Sequence, residues 1–264
     1  MYSKIVSYLS IEILLLLGLI VSCIIIARKK LKVSLKFFFF GVLGFLISQI
    51  IHLPPMYISV GKNLLTRLMQ NSVLYYALAV GLWAGLCEEI IRFTMIRLKY
   101  PSITRNQAVT FGLGWASLEI IMVLGIVGST LISLPFIYNT NAEILLKQGV
   151  PEADVKLIMN QIEIFKSQLQ NVTIWVALSA VVERLFAIIF HTAFSIFAYL
   201  AVSKKNFSYI LLAILAHTII NFSAVMLMRY GVFVTEAVIM VFAMLAYWFI
   251  MVAENKPADR GSEA

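Results

Sequence analysis

The chain has 264 residues, of which 61% are hydrophobic and only 13% charged, against roughly 25% charged in ordinary globular domains; its mean hydropathy is +0.94. So few polar groups cannot cover a water-facing surface, which excludes a soluble globular domain and predicts an all-α fold, a polytopic bundle of transmembrane helices. The 21 basic and 13 acidic residues leave a formal charge of +8, but the basic residues gather in short loops, a pattern of membrane topology rather than of nucleic-acid binding.

Apolar runs long enough to cross ~30 Å of hydrocarbon fall near residues 5–27, 33–53, 73–96, 107–137, 172–203, 207–228 and 232–253. The first is too long for a signal peptide, lacks a small-residue cleavage site and is followed by Arg28-Lys29-Lys30, so it reads as a retained helix. The fourth and fifth exceed a bilayer crossing and are expected to tilt, kink or extend beyond it. Basic residues number twelve on the side that holds Arg28, Arg97, Arg105 and Lys204, against seven on the other. This bias predicts an outer N-terminus and a cytoplasmic C-terminus, in a multi-pass protein of the cell membrane, expected to be a bacterial cytoplasmic membrane. Residues 1–253 read as one helical domain. The long outer loop 139–171 repeats Val155, Ile158, Met159, Ile162, Phe165 and Leu169 at helical spacing, with Pro151, Glu152 and Asp154 in a first turn. That is an amphipathic helix on the membrane or capping the bundle. The polar residues 254–264 read as a disordered cytoplasmic tail. The run Phe37–Phe40 reads as lipid-facing bulk, and Glu12, His52 and Glu236 as structural or interfacial groups. Cys23 and Cys87 sit in apolar runs without a CxxC, which supports neither a disulfide scaffold nor a zinc-thiolate site.

Ionisable groups inside apolar runs carry the functional information, because lipid penalises each unless a partner or a water-filled cavity compensates. The third run reads GLWAGLCEEIIRF. At about 100° per residue, Gly81, Gly85, Glu88 and Arg92 share one face, and Glu89 still reaches Arg92 at i,i+3. Two carboxylates and one guanidinium can leave one carboxylate available as a base. In the fourth run Glu119 lies ~21 Å from Arg105, deep in the membrane, where a metal, a basic partner, water or a proton must meet it. In the fifth, VVERLFAIIFHTAFS, Arg184 and His191 share a face; Glu183 and Arg184 are expected to pair with neighbours. In the sixth, His217 and Asn221 form an i,i+4 pair. Glu119, His191 and His217 come from three helices yet reach nearly the same depth, with Glu88 somewhat closer to the cytoplasm. Two imidazoles and carboxylates at one level can bind Zn²⁺, with His191, His217 and Glu119 as ligands, or can activate a water directly.

Glu88-Glu89 followed by Arg92, an apolar helix ending in Phe190-His191, and His217-x-x-x-Asn221 together resemble the CAAX-protease and bacteriocin-processing superfamily, and within it the YhfC-like intramembrane metalloproteases. The resemblance spans about Gly81 to Asn221. It implies a helical bundle whose site opens within the bilayer. It makes Glu88 the water-activating glutamate, Glu89 its neighbour, Arg92 the supporting arginine, His191 the second-motif histidine, and His217 with Asn221 the third motif. Two details depart from the superfamily pattern: the first motif reads EExxR instead of EExxxR, and Ala187 stands where a phenylalanine is usual, between Phe186 and Phe190.

The expected activity is therefore an intramembrane endopeptidase acting on a membrane-inserted or lipidated peptide within the lipid bilayer. Glu88 would deprotonate a water held by His191, with or without Zn²⁺, while His217 and Asn221 stabilise the oxyanion. A proton-coupled transporter using the same groups as a relay, and a non-catalytic immunity or partner protein on the same fold, are the alternatives. Nothing in the sequence points to a nucleic-acid partner or fixes an oligomeric state.

Overall fold

Long apolar segments in lipid must satisfy every backbone N–H and C=O internally, and a continuous helix is the simplest way to do so. The computed structural model describes residues 2–58 and 72–253, and these are helical almost throughout, with no strand among them. In chain order they are α1 (Tyr2–Ile25), which ends in a π-helical turn at Ile26–Lys30, then α2 (Leu35–Ile58), α3 (Val73–Lys99) and α4 (Arg105–Asn139). These are followed by α5 (Ala142–Lys147), α6 (Glu152–Leu169), α7 (Ile174–Ser203), α8 (Ser208–Leu227) and α9 (Val232–Val252). Among the described residues seven helices are long and apolar enough to cross a membrane. They coincide with the seven runs predicted above, and the protein is a multi-pass membrane protein. The expected tail at 254–264 lies outside the described residues.

The chain divides into two compact units, one of Met1–Gly18 and Ile121–Val181, the other of Leu19–Ile120 and Val182–Ala264. In the first, Ile5, Leu9, Val127, Leu134 and Leu169 form the core, with Phe165 and Tyr138 packed against it. In the segment expected to lie on the outer side, Glu152–Leu169 is helical. Val155, Ile162 and Leu169 are buried, while Leu157 and Ile164 face outward. Pro151 is the residue that caps α6 rather than part of its first turn, and Glu152 and Asp154 follow it.

The second unit holds every polar residue of the predicted site. Its core joins Phe37, Phe38, Phe45, Ile96, Phe111, Trp115, Ile196, Tyr199 and Ile210, and a smaller cluster joins Phe186, Phe190 and Phe194 to Ala213, Ile239 and Ala243. This corrects the reading of Phe37–Phe40 as lipid-facing. Phe37 and Phe38 are buried, Phe40 packs on the core, and only Phe39 is exposed, at 62%. The reason is helical period: at about 100° per residue, four consecutive side chains are spread over about 300° and cannot all face lipid.

Small residues set the helix crossings that carry the site. A Cβ on Gly81 would meet the Thr218 carbonyl at 2.7 Å, and one on Gly85 the Ile214 carbonyl at 3.0 Å, so α3 and α8 approach backbone to backbone on the predicted glycine face. Gly112 does the same for α4 and α7, where a Cβ would lie 2.7 Å from the His191 carbonyl oxygen and 2.8 Å from the Thr192 Cα.

Candidate metal and active site

Glu88 and Glu89 are neighbours on α3, so their side chains leave the helix about 100° apart and enter different surroundings. Glu89 is fully buried, and its carboxylate takes the Arg92 guanidinium at i,i+3, with Nε donating to Oε2 at 2.9 Å. The other oxygen, Oε1, lies 2.9 Å from Nδ1 of His217. A carboxylate ion-paired with arginine only accepts, so the His217 Nδ1 carries a proton, and in the neutral ring Nε2 carries the lone pair. A carboxylate behind a histidine is the arrangement that fixes ring orientation and tautomer in metal-ligating and base-acting histidines alike. Phe194 stacks flat on the His217 ring, with centroids 5.0 Å apart and planes at 6°.

Arg92 is fully buried and spends its N–H groups on four partners. Besides Glu89 it donates to Ser195 Oγ at 2.9 Å, to the His191 carbonyl at 3.3 Å and to the His191 ring Nδ1 at 3.0 Å. Its guanidinium also lies over the Trp115 ring, 3.9 Å from the centroid. Arginine has no acceptor, so Nδ1 of His191 accepts and Nε2 carries the ring proton. That Nε2–H donates to Glu119 Oε2 at 2.7 Å. Glu119 Oε1 in turn accepts from Arg184, which also pairs with Glu183. A continuous chain of partners therefore runs Glu183, Arg184, Glu119, His191, Arg92, Glu89, His217, crossing α7, α4, α3 and α8. Each guanidinium in it sits between carboxylates or their hydrogen-bond partners, which is what makes such groups tolerable in a low-dielectric interior.

Glu88 stands outside that chain. It is buried, and among the described residues its oxygens accept from two neutral donors on two other helices. Trp115 Nε1 of α4 donates to Oε2 at 3.2 Å, and Gln49 Nε2 of α2 to Oε1 at 3.3 Å. Of the two adjacent acids, the guanidinium takes Glu89, and Glu88 has no ion pair among the described residues.

A cavity of about 170 Å³ opens among α3, α4, α7, α8 and α9. Its wall includes Glu88, Glu119, Glu183, Arg184, His191, His217, Asn221 and Glu236. Four carboxylates and a single guanidinium face this space, so a cation or a proton source would be stabilised in it. Glu88, Glu89 and His217 each place a donor atom within 4.8 Å of the others. Two carboxylates and one imidazole are a donor set that suits Zn²⁺ or a similar divalent ion.

The predicted residues are thus brought together, in a different pairing from the expected one. Glu88, Glu119, His191, His217 and Asn221 share the cavity wall. Glu89 and Arg92 lie behind it, fully buried. Of the expected ligands His191, His217 and Glu119, only His217 belongs to the group of converging donor atoms among the described residues; His191 and Glu119 bond to each other. The expected pairing of Glu183 and Arg184 with neighbours is present. Gln49, Ser195 and Glu236 were not anticipated at the site. Ser195 had a signal, one helical turn after His191 on the same face. Gln49 had only its isolation as an amide in an apolar run. Glu236, read as interfacial, lines the cavity with a buried Oε2 that has no partner among the described residues.

A family model described as YhfC intramembrane metalloprotease matches residues 13–243 of the chain. The curated "Uncharacterized membrane protein YhfC" of Bacillus subtilis (strain 168) is 29% identical over 247 residues, covering 91% of this chain and 92% of the relative. No solved structure matches significantly. With an all-helical membrane fold and a buried Glu–Glu–His group in the matched region, the chain belongs to the YhfC intramembrane metalloprotease family.

Proposed function

We propose that the chain is an intramembrane endopeptidase that hydrolyses a peptide bond of a membrane-embedded or lipidated peptide, with Glu88 and His217 activating the attacking water. One observation carries this reading: a carboxylate and an imidazole, each fixed from behind by other helices, line the same cavity. A water between them donates one O–H to Glu88 and the other to His217 Nε2, leaving an oxygen lone pair for the scissile carbonyl carbon. Glu88 removes a proton as the oxygen attacks, and the tetrahedral intermediate collapses with that proton delivered to the leaving amine nitrogen. Asn221, one turn from His217 on α8, supplies an amide donor for the oxyanion. Glu89 holds the His217 tautomer, while Arg92, His191, Glu119 and Arg184 keep that carboxylate and the helices in place.

Glu88, Glu89 and His217 would hold a divalent metal. When bound it supplies Lewis-acid polarisation and a more acidic water.

The test compares cell membranes that contain the wild-type chain with membranes that contain Glu88→Gln or His217→Ala at equal abundance, mapping new peptide N-termini by mass spectrometry. The wild-type chain generates new N-termini within or beside transmembrane segments. Each variant reduces their rate of appearance at least about a hundredfold, as expected for loss of a general base. Equal rates in wild type and Glu88→Gln contradict the proposal.

A further inference from the structure

We infer that α2 contributes the positioning residues of the hydrolytic carboxylate, Gln49 orienting Glu88 and His52 orienting Gln49; the inference rests on the reading of Glu88 as base. The Arg92 guanidinium pairs with Glu89, so Glu88 is fixed by the neutral donors Trp115 and Gln49, one on each oxygen. A carboxylate held at one oxygen can rotate about its last side-chain bond; held at both, from different helices, its plane and its remaining lone pairs have a set direction. Glu88 therefore presents the same lone pairs to the cavity at every encounter, which a base acting on one water requires.

An amide, however, has two ends. Gln49 stabilises Glu88 only if its NH₂ faces the carboxylate, and flipped it would set oxygen against oxygen. His52, one turn along α2, decides this. Its Nδ1 lies 3.3 Å from Gln49 Oε1, so the ring donates to the amide carbonyl and the amide nitrogen is directed to Glu88 at 3.3 Å. His52 is held in turn by Trp83 of α3, whose indole Nε1 donates to the His52 carbonyl at 3.1 Å. The order Trp83, His52, Gln49, Glu88 runs from α3 through α2 and back to α3. None of these contacts involves Arg92 or the His191–Glu119 pair.

The test uses the full chain in cell membranes and the rate at which its strongest new peptide N-terminus accumulates. Gln49→Met keeps the length and removes the donor; it slows the rate about tenfold, the effect of losing a hydrogen bond to a charged group. His52→Phe, which keeps the ring and removes the Nδ1 donor, slows it severalfold. His52→Asn, whose amide nitrogen can stand in for Nδ1, returns the rate to within about twofold of wild type. Thermal midpoints in detergent are the same for His52→Phe and His52→Asn, a rescue that a purely structural role would not show. A wild-type rate in Gln49→Met overturns the inference, and so does a His52→Asn rate as low as that of His52→Phe. Either result alongside an inactive Glu88→Gln leaves the hydrolytic reading standing, whereas an active Glu88→Gln removes that reading itself.

Discussion

Arg92→Met would leave Glu89 fully buried with His217 as its remaining partner, and would strip donors from Ser195 and from the His191 ring. Breaking a buried pair from one side costs about 3–5 kcal/mol, mostly the desolvation of the charge left behind. The variant should therefore unfold at clearly lower temperature or denaturant concentration in detergent than wild type. Arg92→Lys should recover part of this loss, since an ammonium replaces the charge but cannot match a planar fork serving Glu89, Ser195 and His191 at once. The tautomer argument separates the two histidines in the same way. His217 lines the cavity with only Nδ1 hydrogen-bonded among the described residues, whereas His191 has both nitrogens occupied. Zinc titration of purified protein against a chelator should accordingly show affinity reduced at least tenfold in His217→Ala and little changed in His191→Gln. The reverse order would move the ligand role to His191.

At the scale of the helices, glycine divides into positions that bring backbones together and positions that do not. Gly112 lies against the backbone of α7 at His191 and Thr192, which cannot retreat as a flexible side chain would, while a Cβ on Gly125 meets nothing within 4 Å. Gly112→Ala should lower stability by about 1–3 kcal/mol through overpacking and weaken the site by shifting His191. Gly125→Ala should be neutral or up to about 1 kcal/mol stabilising from helix propensity. Thermal unfolding of the two variants side by side checks the contrast. The Gly81 and Gly85 stripe was legible in the sequence because a stripe repeats at the helical period, and its partner α8 carries the predicted His217. Gly112 stands seven residues before Glu119, on the same helix face, but its partner helix could not be read, since facing pairs depend on how each helix is rotated in the bundle.

For the molecule as a whole, the seven spans and the helical class were readable because they follow from apolar length, a property of the chain alone. The membership of the polar cluster was readable from depth, since ionisable groups in lipid must find one another. Which atom meets which was not. Trp115 reaches Glu88 across 27 residues, Gln49 across 39 and His217 reaches Glu89 across 128, and such contacts are fixed by packing between helices. That is why Glu119 and His191, aligned in depth with His217, proved to be a hydrogen-bonded pair, and why an isolated amide in an apolar run was too little to place Gln49 at the site. The same packing divides the buried charges between two tasks. Arg92 and Arg184 hold carboxylates in place, and Glu88 is kept clear of both.

The claim on which the rest depends is that Glu88 and His217 act on one water. A double-mutant cycle on the rate of new N-terminus formation, with Glu88→Gln, His217→Ala and the two combined, measures this directly. Groups that serve a single step are not additive: each single variant should lose about a hundredfold or more, and the double variant should lose little beyond the worse of the two. Losses that multiply, or a wild-type rate in either single variant, would contradict the account.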